Sequence, residues 1–201
     1  MTLLQKINFR IRKFFPPPEV PGISEKRKLI DDFRKKYDAV IFIETGTFLG
    51  HTIDYFKNKF DKLYSIELSE DLAERAKIHF QNDHNVTIIQ GDSADKLPGI
   101  LLEIDNTALF WLDGHYSSEF FVNDEYIRTA KGEVNTPIIK ELQLILASGL
   151  DFIILVDDAR LFNGRNDYPT IKEIKTIINE SAVNYTMSIG LDIIQIYPLL
   201  K

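Results

Sequence analysis

Residues 41–50, Ile-Phe-Ile-Glu-Thr-Gly-Thr-Phe-Leu-Gly, constrain the fold more than any other stretch of the chain. An apolar run ends on Glu44, a glycine turn follows, and Gly50 opens an amphipathic helical pattern. A buried strand that passes through an acidic residue and a glycine turn into a helix builds a nucleotide-type pocket at the carboxyl edge of a parallel sheet. Glycine lets a ligand approach backbone that a Cβ would shield. The helix start adds N–H groups and a positive dipole end, which suit a carboxylate. The spacing is E-x-G-x-x-x-G, with Phe48 where a dinucleotide fingerprint places its second glycine. A bulky side chain there disfavours a pyrophosphate lying on the turn. A tight turn with no ligand satisfies the same pattern, so the segment alone does not decide.

Alternation of patterns supplies the fold class. Residues 24–36 read as a polar helix, 39–44 as a buried strand and 50–59 as a helix. Residues 62–67 are a second strand, and Ser69 caps the next helix with Glu70 and Asp71 in its first turn. Strands follow at 86–90, 107–113 and 152–157, separated by helices near 93–103 and from Pro137 to about Ser148. Asp167 and Pro169 mark a last helix to about Glu180. Residues 185–189 and 192–197, joined at Gly190–Leu191, read as a hairpin that adds one antiparallel strand at the sheet edge. The expected fold is α/β, a doubly wound and mostly parallel sheet covered by helices on both faces.

The 201 residues suit one domain over 24–201, preceded by an extension over 1–23. A formal charge of −6 argues against a general nucleic-acid binder, and the lack of cysteine removes disulfides, thiolate zinc sites and cysteine nucleophiles. No apolar run has the length of a membrane span, and a cytoplasmic location is the simplest expectation. Residues 1–15 carry Lys6, Arg10, Arg12 and Lys13, with Leu4, Ile7, Ile11 and Phe14 at helical spacing. Pro16, Pro17 and Pro18 then form a stiff spacer. Such a basic amphipathic helix can dock on an anionic membrane or cover a site, but packing on the body or on a second copy is the favoured expectation.

Acidic residues fall at strand ends in a regular way. Glu44, Glu67, Asp92, Asp113, Asp157 and Asp158 each close or follow an apolar strand, so all six are expected around one crevice. A single such acid is usually a helix cap. Over roughly residues 38–198 the chain resembles the class I S-adenosylmethionine-dependent methyltransferases, with E-x-G-x-x-x-G in the form seen in the catechol O-methyltransferase type. The resemblance implies a Rossmann-like sheet of seven strands with a reversed last strand. It also implies that Glu44, Thr45 and Gly46 line the methionine part of the cofactor. Thr52, at the helix start after Gly50, would bond the cofactor carboxylate, Glu67 its ribose hydroxyls, and Asp92 and Ser93 its adenine.

Asp113 in Trp-Leu-Asp-Gly-His-Tyr and the pair Asp157–Asp158 resemble the metal triad of divalent-ion-dependent O-methyltransferases, including those acting on macrolide and aminocoumarin sugars. Those sugar enzymes show Asp-Gly-Asp where this chain has Asp-Gly-His, which moves the proposed base to His115. Oxygen ligands suit Mg²⁺. The implied reaction is direct methyl transfer to a hydroxyl of a small molecule or glycan, the metal lowering the hydroxyl pKa and His115 accepting its proton. Residues 116–136 and 159–166 are candidate substrate loops. Three alternatives stay open: a metal-independent enzyme with Asp113 as base or substrate anchor, a non-catalytic cofactor-binding module, and a nicotinamide oxidoreductase, which Phe48 opposes.

Overall fold

The computed structural model describes residues 20–115, 119–122, 125–128, 130, 132 and 135–199. The amphipathic pattern of residues 1–15 and the spacer Pro16–Pro18 lie outside them, as does part of the 116–136 loop. Helix α1 (Ile23–Lys36) precedes strand β1 (Ile41–Thr45), followed by α2 (His51–Phe56), β2 (Lys62–Glu67), α3 (Glu70–His79), β3 (Val86–Gln90), α4 (Ser93–Glu103) and β4 (Ala108–Leu112). A two-stranded hairpin, β5 (Glu119–Val122) with β6 (Glu125–Arg128), interrupts the alternation. Helix α5 (Ile138–Ala147), β7 (Ile153–Val156), a 3₁₀ turn (Ala159–Leu161), α6 (Ile171–Asn179), β8 (Tyr185–Gly190) and β9 (Ile193–Pro198) complete the described chain.

Seven strands form one sheet in the order β3-β2-β1-β4-β7-β9-β8. Pairings from β3 to β7 are parallel, and β9 runs antiparallel to both β7 and β8. The reversed last strand agrees with expectation, but its place does not. It lies inside the sheet, between β7 and β8, and β8 forms the edge. The β8–β9 turn at Leu191 and Asp192, both at positive φ, folds the chain back so that β9 pairs with β7 first. Residues 193–196, Ile-Ile-Gln-Ile, are apolar enough for that central position.

Successive residues of the central strands point to opposite faces, and both faces are covered. Ile41, Ile43, Phe110, Ile154 and Val156 pack with Leu97 and Ile100 of α4, Leu142 and Ile145 of α5, and Ile174 of α6. Phe42, Leu109, Trp111, Ile153 and Leu155 face Ile30 and Phe33 of α1, Ile53 and Phe56 of α2, and Ala76 of α3. A strand buried on both sides reads as an unbroken apolar run, as in Ala-Leu-Phe-Trp-Leu of β4. No helix among the described residues is long and apolar enough to cross a membrane.

Candidate functional site

The carboxyl ends of β1 to β4 open onto a cavity of about 260 Å³ lined by Gly46, Phe48, Glu67, Asp92, Ser93, Asp113 and His115, with Ile66 and Leu72 on its apolar wall. Gly46 adopts φ +89°, and a Cβ there would lie 2.7 Å from the Asp113 carbonyl oxygen, so glycine allows the β1 and β4 turns to touch. Phe48 also takes a left-handed conformation, which directs its amide to Glu67 Oε2 at 2.8 Å. Ser69 N donates to Glu67 Oε1 at 2.9 Å. Two amides thus fix the Glu67 carboxylate at the cavity wall, and its remaining lone pairs suit a vicinal diol. Burial pushes the Glu67 carboxyl up, and the backbone donors oppose that push.

Asp92 combines the two readings of a strand-end acid. Its Oδ1 caps α4 by accepting from Ala94 N at 2.9 Å, and it also lines the cavity. Glu44 behaves differently. It is 2% exposed, accepts from Ser65 Oγ at 2.8 Å, and lines neither cavity described here. Burial, with Asp113 and Glu67 adding repulsion, pushes its carboxyl up to about 8 against the hydrogen bonds of Ser65 and Thr52, so Glu44 is neutral at pH 7. Thr45 is buried with it. Gly50 caps α2 at φ +74°, where a Cβ would meet the Phe80 ring at 2.8 Å, so it serves packing.

A second cavity, about 240 Å³, lies between α1, α2 and the sheet and is lined by Lys26, Arg27, Thr52, Trp111, Asp113 and Asp157 among others. The expected single crevice is therefore two cavities that share Asp113. Thr52 belongs to the second one. Asp157 does not face an open ion site: Lys26 Nζ donates to its Oδ1 at 2.6 Å and its Oδ2 at 2.7 Å. Asp158 Oδ1 accepts from Arg160 Nη1 at 2.7 Å, and Asp158 Oδ2 lies 3.5 Å from His115 Nε2. His115 Nδ1 is 3.3 Å from Asp113 Oδ1. Among the described residues no group of three or more His, Asp or Glu side chains is set out to hold a metal ion. The arrangement as it stands does not fit Mg²⁺, because Lys26 and Arg160 occupy Asp157 and Asp158, two of the three carboxylates that would ligate it.

Electrostatics follow from that pairing. Burial disfavours charge on Lys26, but the hydrogen bond to Asp157 and the charges of Asp157, Asp158 and Asp113 outweigh it and hold the ammonium. Burial opposes charge on His115 too, and Asp113, Asp158 and Asp157 again prevail, raising its pKa. Asp157 is raised by burial first and by Asp113, with Lys26 pulling the other way.

Two residues escape a reading by strand ends. Lys26 is a charged side chain on the face of α1 that carries Ile30 and Phe33, at i+4 and i+7, and that breach of amphipathicity was its signal. Glu141 of α5 is 1% exposed, lies beside Ser93 and Thr45, and is pushed up to about 7 by burial. An acid within the apolar stripe Ile138, Leu142, Ile145 was its signal.

No protein-family model and no curated protein matches the chain. Solved structures do. The O-methyltransferase TomG from Streptomyces achromogenes, involved in tomaymycin synthesis and in complex with S-adenosylmethionine, is 16% identical with a TM-score of 0.60, covering 100% of this chain and 91% of that one. An O-methyltransferase from Bacillus cereus in complex with S-adenosylhomocysteine is 13% identical, TM-score 0.58, over 99% of this chain and 92% of that one. The S-adenosylhomocysteine-bound methyltransferase PaMTH1 of Podospora anserina is 12% identical, TM-score 0.59, over 94% and 84%. Strand order, the reversed inner strand and these likenesses together give the chain the class I methyltransferase fold.

Proposed function

We propose that the chain methylates a hydroxyl oxygen of a small molecule or glycan with S-adenosylmethionine as donor. The observation that carries this reading is Glu67, pinned by two amides at the wall of a cavity that Asp113 also lines. Glu67 accepts the ribose hydroxyls, Asp92 and Ser93 face the adenine, and Leu72 packs on it. When bound, the cofactor supplies an electrophilic methyl carbon: the substrate oxygen forms the C–O bond, the C–S bond breaks with its electron pair going to sulfur, and the hydroxyl proton passes to the protein. His115 takes that proton at Nε2, where Asp158 Oδ2 at 3.5 Å stabilises the imidazolium, while Asp113 Oδ1 orients the ring through Nδ1. Asp113, common to both cavities, places the acceptor next to the donor. With Lys26 on Asp157, the proton leaves by side chains of the chain itself, the metal-independent route.

Calorimetry with S-adenosylhomocysteine and with NAD tests the cofactor. Binding of the first, none of the second, and loss in Glu67→Gln are the expected results. Binding of NAD alone, or of neither, overturns the reading. Transfer of labelled methyl from S-adenosylmethionine to a panel of sugars and phenols, with EDTA present, separates an enzyme from a cofactor-binding module.

A further inference from the structure

We infer that Lys26 is the resident cation of the Asp157–Asp158 pair and keeps a divalent metal out of it. Asp157 is 131 residues from Lys26 in sequence, yet the ammonium straddles both of its carboxylate oxygens, at 2.6 and 2.7 Å. The same Nζ is 3.6 Å from Asp158 Oδ1. The Lys26 side chain is only 15% exposed, because it shares the sheet-facing side of α1 with Ile30 and Phe33. The Asp158 oxygens are also met by protein side chains, Arg160 on Oδ1 and the His115 ring beside Oδ2. Lys26 and Arg160 therefore hold the Asp157 and Asp158 carboxylates without a metal. Mg²⁺ needs carboxylate oxygens at roughly 2.0–2.1 Å, on the lone pairs that the ammonium already takes. The ion and Lys26 are mutually exclusive on Asp157.

Lys26 is a positioning residue in this account. It fixes the Asp157 carboxylate, and with it the Asp158 amide, which donates to Asp157 Oδ1 at 2.7 Å. It also presents a positive wall to the cavity that it shares with Asp113. As the proton leaves a hydroxyl held there, the negative charge left on its oxygen is met by a fixed ammonium, where a metal would otherwise serve. The inference rests on the proposed function for the reaction class alone.

Mn²⁺ uptake by the full chain, read from the free-ion paramagnetic resonance signal after EDTA treatment, tests it without substrate or cofactor. Wild type and Lys26→Arg should leave millimolar Mn²⁺ free. Lys26→Met should gain one site, roughly tenfold or more tighter than any wild-type uptake, and Lys26→Met/Asp157→Asn should lose it. Lys26→Gln is read in parallel, and S-adenosylhomocysteine binding by each variant reports folding. Stoichiometric uptake by wild type that Asp157→Asn abolishes overturns the inference, as does a Lys26→Met or Lys26→Gln protein that binds no more Mn²⁺ than wild type. Neither result touches the cofactor reading, which fails only if S-adenosylhomocysteine does not bind.

Discussion

A buried acid that keeps its proton makes stability depend on pH in a definite direction. Glu44 has its carboxyl pushed up from 4.5 to about 8, so the folded chain binds a proton that the unfolded chain releases. Its contribution is intact below about pH 4.5 and is lost as pH rises through 8, a change on the order of 5 kcal/mol. Glu141, pushed up to about 7, acts with the same sign. The wild-type melting temperature should therefore fall between pH 5 and 8.5, and Glu44→Gln should give a shallower slope. An equal slope in both proteins would refute neutral Glu44. His115 gives a kinetic counterpart. Neighbouring aspartates raise its pKa above 6.5, so a base at this position works only as pH climbs past that value. Turnover should rise on the alkaline side of 6.5, and His115→Gln should remove that limb. At this scale the sequence was partly legible. Glu67, Asp92 and Asp113 come to one cavity as their strand-end positions implied. Lys26 showed only as a charge on the apolar face of its helix, because its partner Asp157 follows a strand end 131 residues later and a contact at that separation leaves no local pattern.

Elements were legible where local chemistry sets their ends. The pattern Thr170-Ile-Lys-Glu173 forms a capping box: Thr170 Oγ1 accepts from Glu173 N at 3.2 Å, and Glu173 Oε2 accepts from Thr170 N at 2.7 Å. The earlier marks at Asp167 and Pro169 belong to the approach, where Asp167 instead accepts from Asn135. Thr170→Ala removes one half of the box and should lower stability by about 1 kcal/mol in urea unfolding, leaving S-adenosylhomocysteine affinity unchanged. Gly46→Ala is the opposite case. Its Cβ would press on the Asp113 carbonyl at 2.7 Å, so the β1 and β4 turns must part. Cofactor affinity should drop by roughly tenfold or more, the scale of about 1.4 kcal/mol. The hairpin β5–β6 was missed because residues 116–136 mix aromatic and polar types without the period-two alternation that marks a half-buried strand. The place of β9 was missed for another reason. A hairpin pattern gives two paired strands but does not say which of them meets the sheet.

Across the whole molecule, one sheet separates two apolar clusters, and β1, β4 and β7 each contribute to both. Neither cluster can lose its packing while the strands stay in place, so the described body should melt in a single transition. The overall alternation was readable because parallel strands buried on both faces leave unbroken apolar runs between amphipathic helices. That architecture also fixes how a ligand should act at a distance. The larger cavity is walled by the ends of β1, β2, β3 and β4, so occupancy is linked to the integrity of the sheet. A ligand at a hundred times its dissociation constant stabilises by about 2.7 kcal/mol. A domain of this size shifts by roughly 2–4 °C for each kcal/mol. S-adenosylhomocysteine at that excess should raise the midpoint by about 5–11 °C as one sharp transition, and NAD should leave it unmoved. In Glu67→Gln only one of the amides of Phe48 and Ser69, which bond different oxygens, keeps its acceptor, and the diol loses its bidentate partner, so the shift at the same concentration should shrink towards zero. A full shift in that variant would place the ligand away from the β2 end and remove the cofactor assignment built on it.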